Sequence, residues 1–212
     1  MLDFLSKSSA VFCAIAFSCA SFNSSNAAGI PVENQQAQTV EVNVGIYAPF
    51  SSQSAFIGRN ILAAMEIANG QLKPSSIHYS FYTLDQQPKG NHTDKVLQKF
   101  ITSHDIKVLV TAGKENGLIA EPVTKHNNVI HLNVLSNSVV AENNTIEGHH
   151  MNLKFITQFE KEYWTYPSKE AGYAYEAFQL LNTSIASSMS THGAYAKQTV
   201  MSKFNSLVKE TA

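Results

Sequence analysis

What most constrains this chain is the alternation of strand-like and helix-like runs between residues 41 and 142. Val40-Glu41-Val42-Asn43-Val44-Gly45-Ile46-Tyr47 alternates apolar and polar and then turns apolar, the pattern of a first strand. A Pro49–Ser54 loop follows, and then a helix from Gly58 to Asn69 with Ile61, Leu62, Met65 and Ala68 on one stripe and Asn69-Gly70 as its stop. Ile77–Leu84 is the second strand, closed by the turn-rich Asp85–Gly90. Thr93 suits an N-cap, ahead of a helix that turns Val96, Leu97, Phe100 and Ile101 inward. Ile106–Thr111 is short and nearly all apolar, as a central parallel strand covered on both faces should be. Gly113–Gly117 reads as a loop and Leu118–Lys125 as a short helix, with Pro122 tolerated only in its first turn or at a kink. Val129–Asn133 is the fourth strand.

Strands and helices at this spacing imply right-handed crossovers and a parallel sheet. The expected fold is a single flavodoxin-like α/β lobe over residues 40–212, with strand order 2-1-3-4 and helices on both faces. After Ser136 the pattern dissolves, and 138–151 reads as an exposed connection. Three helices complete the chain, at about 152–164, 168–187 and 194–210, with Ser168 as N-cap of the second.

The first residues stand apart from that fold. Met1–Ala28 carries Lys7, offset by Asp3, then the apolar stretch Ala10–Phe17 and a small, polar run ending Ser25-Asn26-Ala27-Ala28. That is a secretory signal pattern, too short for a stable membrane span. Cleavage is expected after Ala27 or Ala28, which places the mature protein in the periplasm. Residues 29–39 read as a flexible leader. Both cysteines, Cys13 and Cys19, fall inside the signal segment, so the mature chain would hold neither disulfide nor thiol nucleophile. A rival reading makes Cys19 a lipidated N-terminus, but Phe17 fits a lipobox poorly.

A net charge of −1 argues against nucleic acid or an anionic membrane as partner. Three Asn-x-Ser/Thr sequons, at Asn91, Asn144 and Asn182, would matter only in a eukaryotic secretory pathway. Glu147, His149 and His150 are the best metal-like cluster, but adjacent histidines point different ways and read as exposed linker. His126 and His131 flank a strand and read as core-edge hydrogen-bonders. Ser51, Ser136 or Thr111 would need a partnered base to act as nucleophile, and no Gly-x-Ser-x-Gly elbow occurs. The Gly113–Gly117 run lacks the spacing of a phosphate or dinucleotide loop. The chain therefore reads as a non-enzyme with no cofactor. Tyr163, Trp164, Tyr166, Tyr173, Tyr175 and Phe178 cluster around the helix pair and read mostly as core.

The run Val44-Gly45-Ile46-Tyr47-Ala48-Pro49-Phe50-Ser51, then Gly58, then Ala64-Met65-Glu66-Ile67-Ala68-Asn69, resembles the opening of periplasmic type I solute-binding proteins. That family includes the leucine/isoleucine/valine-binding proteins and receptor ligand-binding regions. Leu84-Asp85 with Gln87-Pro88 looks like its second strand end. Tyr163, Pro167 and Tyr175–Leu181 look like its late helix pair. In the family, two lobes close on a ligand, and the first is made of an early and a late segment. Those two segments are the ones present here, so by resemblance the second lobe looks deleted.

The resemblance implies a small-ligand-binding component of an ABC-type transport system, divergent and truncated, for an amino-acid-like molecule or small organic acid. An inner-membrane ABC permease would be its partner. First-lobe contacts fall by resemblance on Phe50, Ser51 and Phe56, on Gly113, Lys114, Glu115 and Asn116, and on Leu135, Ser136 and Asn137. Amino-acid binders of the family usually place a serine in the second loop, so Lys114-Glu115 is a departure that puts branched-chain ligands in doubt. With one lobe the ligand would be only half covered and weakly bound, at about 1 mM. The alternative is a non-binding interaction module or a remnant that folds without recognising a ligand. Phe50, Phe56, Ile57, Val134 and Leu135 are expected to form an exposed apolar edge, which a homodimer could cover.

Overall fold

The computed structural model describes residues 39–72, 76–86, 92–142, 144–147, 151–192 and 194–211. The expected signal segment, both cysteines, Asn91 and the His149–His150 pair lie outside them. The elements run β1 (Val40–Ala48), α1 (Ala55–Gly70), β2 (Ile77–Asp85), α2 (Thr93–Ser103), β3 (Val108–Ala112) and α3 (Lys114–His126). Next come β4 (Ile130–Val134), β5 (Ser138–Ala141), β6 (Asn144–Glu147), α4 (Leu153–Tyr163), α5 (Lys169–His192) and α6 (Lys197–Thr211).

The strands form one sheet in the order β2-β1-β3-β4-β5-β6. The first four are parallel, with Val44 opposite Phe81 on one side and Val108 on the other. This is the expected order, in a single flavodoxin-like α/β lobe. The last two strands correct an expectation. Residues 138–147 form an antiparallel hairpin on β4, in the register Val134↔Val139 and Val139↔Ile146, rather than an exposed connection. Val139, Ala141 and Ile146 are buried. Their burial comes from the main core, which α5 and α6 complete from the end of the chain, a non-local cover that four-residue strands do not announce in sequence.

Side chains alternate between the two faces of the sheet, as strand geometry requires. On one face Val44, Ile46, Val110, Leu132 and Val139 join Ile61 and Met65 of α1, Phe178 of α5 and Phe204 of α6 in the main core. Helix α4 adds Phe155 and Phe159, with Phe155 stacked on Tyr175 at 4.5 Å. On the other face Tyr47 and Leu109 meet Leu97, Phe100 and Ile101 of α2, and Ala120 and Val123 of α3, in a smaller core.

Two further expectations change. Of the six clustered aromatics, Tyr175 and Phe178 are buried, but Tyr163, Trp164 and Tyr166 are exposed. Trp164 ends α4 in the left-handed region (φ 57°), so the chain turns outward there. Helix α3 begins at Lys114, directly after β3, and not at Leu118. Gly113, at φ 88°, makes that abrupt turn in a conformation glycine adopts readily. Pro122 consequently sits inside the helix. It removes the bond to the Leu118 carbonyl, and both residues are exposed, so water can satisfy that oxygen.

Candidate functional site

The carboxyl ends of β1, β3 and β4 open onto one cavity of about 490 Å3. In a wound α/β sheet, this edge is where loops converge at the change of strand order. Gly113, Lys114, Glu115 and Asn116 line the cavity from the β3 side, and Leu135, Ser136 and Asn137 from the β4 side. Pro49, Ser54 and Ile57 contribute from the β1 side, Gln86 from the end of β2, and Glu170 from α5.

Phe50, Ser51 and Phe56 do not line it. The Ser51 hydroxyl and backbone N–H both donate to the Asp85 carboxylate, and the Phe50 N–H donates to Asp85 Oδ1 at 2.6 Å. These bonds hold the Asp85 carboxyl below its usual range, the Ser51 hydroxyl most of all and the Phe50 amide next. They tie the β1 loop to the end of β2. Phe50 is half-buried against the main core, and Phe56 is 54% exposed on α1. The apolar edge expected there is also absent. Val134 is 1% exposed, while Phe50, Ile57 and Leu135 are half-buried, which leaves Phe56 alone in the open. The apolar edge that a homodimer could have covered is therefore reduced to Phe56.

Asn116 is buried and its Nδ2 donates to the Ala112 carbonyl at 2.8 Å, which fixes the first turn of α3 against β3. The Gly113 N–H donates to the Val134 carbonyl at 2.8 Å and so links the β3 and β4 loops. Neither α1 nor α3 has a side chain capping its amino end, because Ser54 and Gly113 make no such bond. The amino ends of α1, α3 and α5, represented by Ser54, Lys114 and Glu170, all border the cavity. In α1 the Ala55 and Ile57 N–H groups already donate to the Ser52 and Ser54 carbonyls, and in α5 the Ala171 N–H donates to Ser168 Oγ, so what the three ends share is the helix dipole, which favours negative charge. Lys114 adds a full positive charge, and Glu115 and Glu170 add two negative ones.

Glu170 and Gln86 were not anticipated. Glu170 lies more than 30 residues beyond the last loop, on a helix whose inward stripe gives no sign of the cavity. Its position in the first turn of α5, just after Ser168, was the available signal. Ser168 Oγ accepts from the Ala171 N–H at 3.2 Å, which places Glu170 at the helix mouth.

No family model matches the chain, and no curated protein matches it. Some solved structures are similar to it. One is the solute-binding protein of an ABC transporter from R. palustris in complex with 4-hydroxybenzoate, at TM-score 0.40 and 15% identity over 47% of this chain and 28% of that one. Another is a solute-binding protein of an ABC transporter from Rhodopseudomonas palustris HaA2 with p-hydroxybenzoic acid, at 0.39 and 14% over 68% and 45%. A third is the branched-chain amino acid transporter substrate-binding protein of Streptococcus pneumoniae with isoleucine, at 0.27 and 15% over 76% and 48%. The chain spans less than half the length of each of these proteins.

Proposed function

We propose that the chain is a periplasmic small-ligand-binding component of an ABC-type transport system. Its site is the cavity at the carboxyl edge of the sheet, and its ligand is a small carboxylate of amino-acid type. The reading rests above all on the three helix amino ends that border that one cavity. The amino end of α3 and the Lys114 ammonium would receive a carboxylate, with the dipoles of α1 and α5 in support, and Glu170 and Glu115 would face an ammonium group. Gly113, Lys114, Glu115, Asn116, Leu135, Ser136 and Asn137 are the proposed contacts. Phe50 and Ser51 hold the β1 loop instead, and Phe56 is exposed on α1. A cavity of this size, open on one side, covers a small ligand incompletely, so binding is weak, at about 1 mM.

A thermal-shift panel of amino acids, amides and small organic acids tests this. Ligand at about 100 times its dissociation constant adds about 2.7 kcal/mol, worth a rise of several degrees. The rise should be lost in Lys114→Glu, which reverses the charge at the cavity mouth. Flat traces across the panel would favour the second reading, an interaction module that binds no small ligand.

A further inference from the structure

A second cavity lies on the opposite side of β4, and the topology explains it. A parallel sheet normally continues from strand to crossover helix, and that helix covers the face it crosses. Here β4 turns straight into the β5 hairpin. On the α2–α3 face, among the described residues, no helix crosses the outer part of β4 and β5. The resulting groove, of about 770 Å3, runs between α3 and these strands. Its volume falls within the range of small-molecule sites, roughly 300–1,000 Å3.

The groove floor is built from hydrogen bonds with assignable directions. Thr111 is fully buried, and its hydroxyl lies 2.8 Å from Asn133 Oδ1 and 2.9 Å from His131 Nε2. A threonine hydroxyl has one proton, and it goes to the Asn133 oxygen, which can only accept. Thr111 must then accept from His131, so Nε2 carries the imidazole proton. Burial pushes His131 down to about 4, so the ring is neutral near pH 7 and its Nδ1 is a bare acceptor. With Oδ1 engaged, Asn133 offers its Nδ2 as donor. Room for that amide depends on Gly117, where a Cβ would come within 2.1 Å of Asn133 Nδ2. An acceptor and a donor thus stand side by side, on two rings of contact around one threonine oxygen.

Of the charged residues that line the groove, Lys125 pairs with Glu121 at 2.7 Å and Lys197 with Glu142 at 2.9 Å, while Lys114 lines this groove and the first cavity alike. The preference for a neutral ligand comes from the floor, where the bare acceptor of His131 disfavours an anion. Val129, Leu135 and Val140 supply apolar surface, and Leu118, 61% exposed, stands at the mouth. We propose that this groove is a second binding site, for a small neutral carboxamide with an apolar body. Its carbonyl accepts from Asn133, its N–H donates to His131, and its body lies on Val129, Leu135 and Val140. The two cavities share Lys114 and Leu135 on their common border, but the polar floor residues His131 and Asn133 line this groove and not the first cavity, so the two readings are separable at the floor.

Benzamide is the probe, titrated into the full chain with the histidine rings labelled with nitrogen-15. The expected result is a saturable shift of the His131 Nδ1 resonance with a dissociation constant of about 1 mM. Benzoate, similar in shape but charged, should bind at least about ten-fold more weakly. In His131→Phe and in Asn133→Leu, benzamide should no longer move the Val140 amide resonance saturably. Ser54→Trp, which fills the other cavity, should leave the titration unchanged. The proposal is overturned by an absence of saturable shifts, by equal binding of benzoate, by binding that survives both floor variants, or by loss of binding in Ser54→Trp.

Discussion

The two faces of the sheet are built on different terms. The face under α1, α5 and α6 is mainly apolar, and Phe155, Phe159, Phe178 and Phe204 are fully buried there. The face under α2 and α3 has the smaller core, and beyond β3 it gives way to Thr111, His131 and Asn133. One face is closed by two helices contributed from the end of the chain. The other is left open where β4 turns back on itself. Stability is therefore concentrated on one side of the sheet, and polar groups that can meet a ligand are held on the other.

The largest expected difference between the faces is in deletion of buried volume. Phe178 meets Tyr79 edge-on at 4.9 Å and Phe81 at 5.6 Å. Phe178→Ala should cost about 3–5 kcal/mol in urea unfolding. A loss under about 1 kcal/mol would mean that α5 does not close this face.

The next effect is a pH dependence that runs in opposite senses on the two faces. His131 is held neutral in the folded protein down to about pH 4, whereas in the unfolded chain it would take up a proton near 6.5. The unfolded state therefore binds more protons between these values, and stability rises with pH across that window. The full contribution, up to about 3 kcal/mol, is present above pH 6.5 and lost as pH falls toward 4. Glu176, on α5, acts in the opposite sense. Burial raises it to about 7, so its contribution is present below pH 4.5 and lost as pH rises through 7. Urea unfolding at pH 4.5 and 6.5 should show His131→Leu losing the rising slope and Glu176→Gln steepening it. An unchanged slope in His131→Leu would remove histidine from the account.

The smallest effect is expected at the mouth of the open groove. Leu118→Ala removes an exposed side chain from a helix surface and should change stability by less than about 0.5 kcal/mol. A greater loss would show that the groove is more closed than its exposed rim implies.

The same contrast decides what was legible in the sequence. The parallel part of the sheet could be read because each strand is a local run with its own period, and Ile106–Thr111 is nearly continuous in apolar residues. The hairpin was not legible. Asn144-Thr145-Ile146-Glu147 has one apolar residue, and its place in the sheet follows from pairing with β5 alone. The start of α3 was hidden because Gly113 and Gly117 looked like loop, whereas one makes the turn and the other admits Asn133. The loop positions came from the family resemblance, and of these 113–116 and 135–137 line the cavity while Phe50, Ser51 and Phe56 do not. Glu170 was not legible, since a charged residue in a first helical turn is ordinary until the fold shows what that turn faces.

The late arrival of α5 and α6 has a consequence for how the protein is made. Phe178 and Phe204 cover valines and isoleucines synthesised more than 100 residues earlier. At roughly 5–20 residues per second, the β1–β4 segment would wait several seconds on the ribosome with one apolar face uncovered but for α1. These long-range contacts also raise the contact order and slow the final closure. The nascent chain is thus most exposed to aggregation just before α5 emerges, and a holding chaperone would have its greatest effect in that interval.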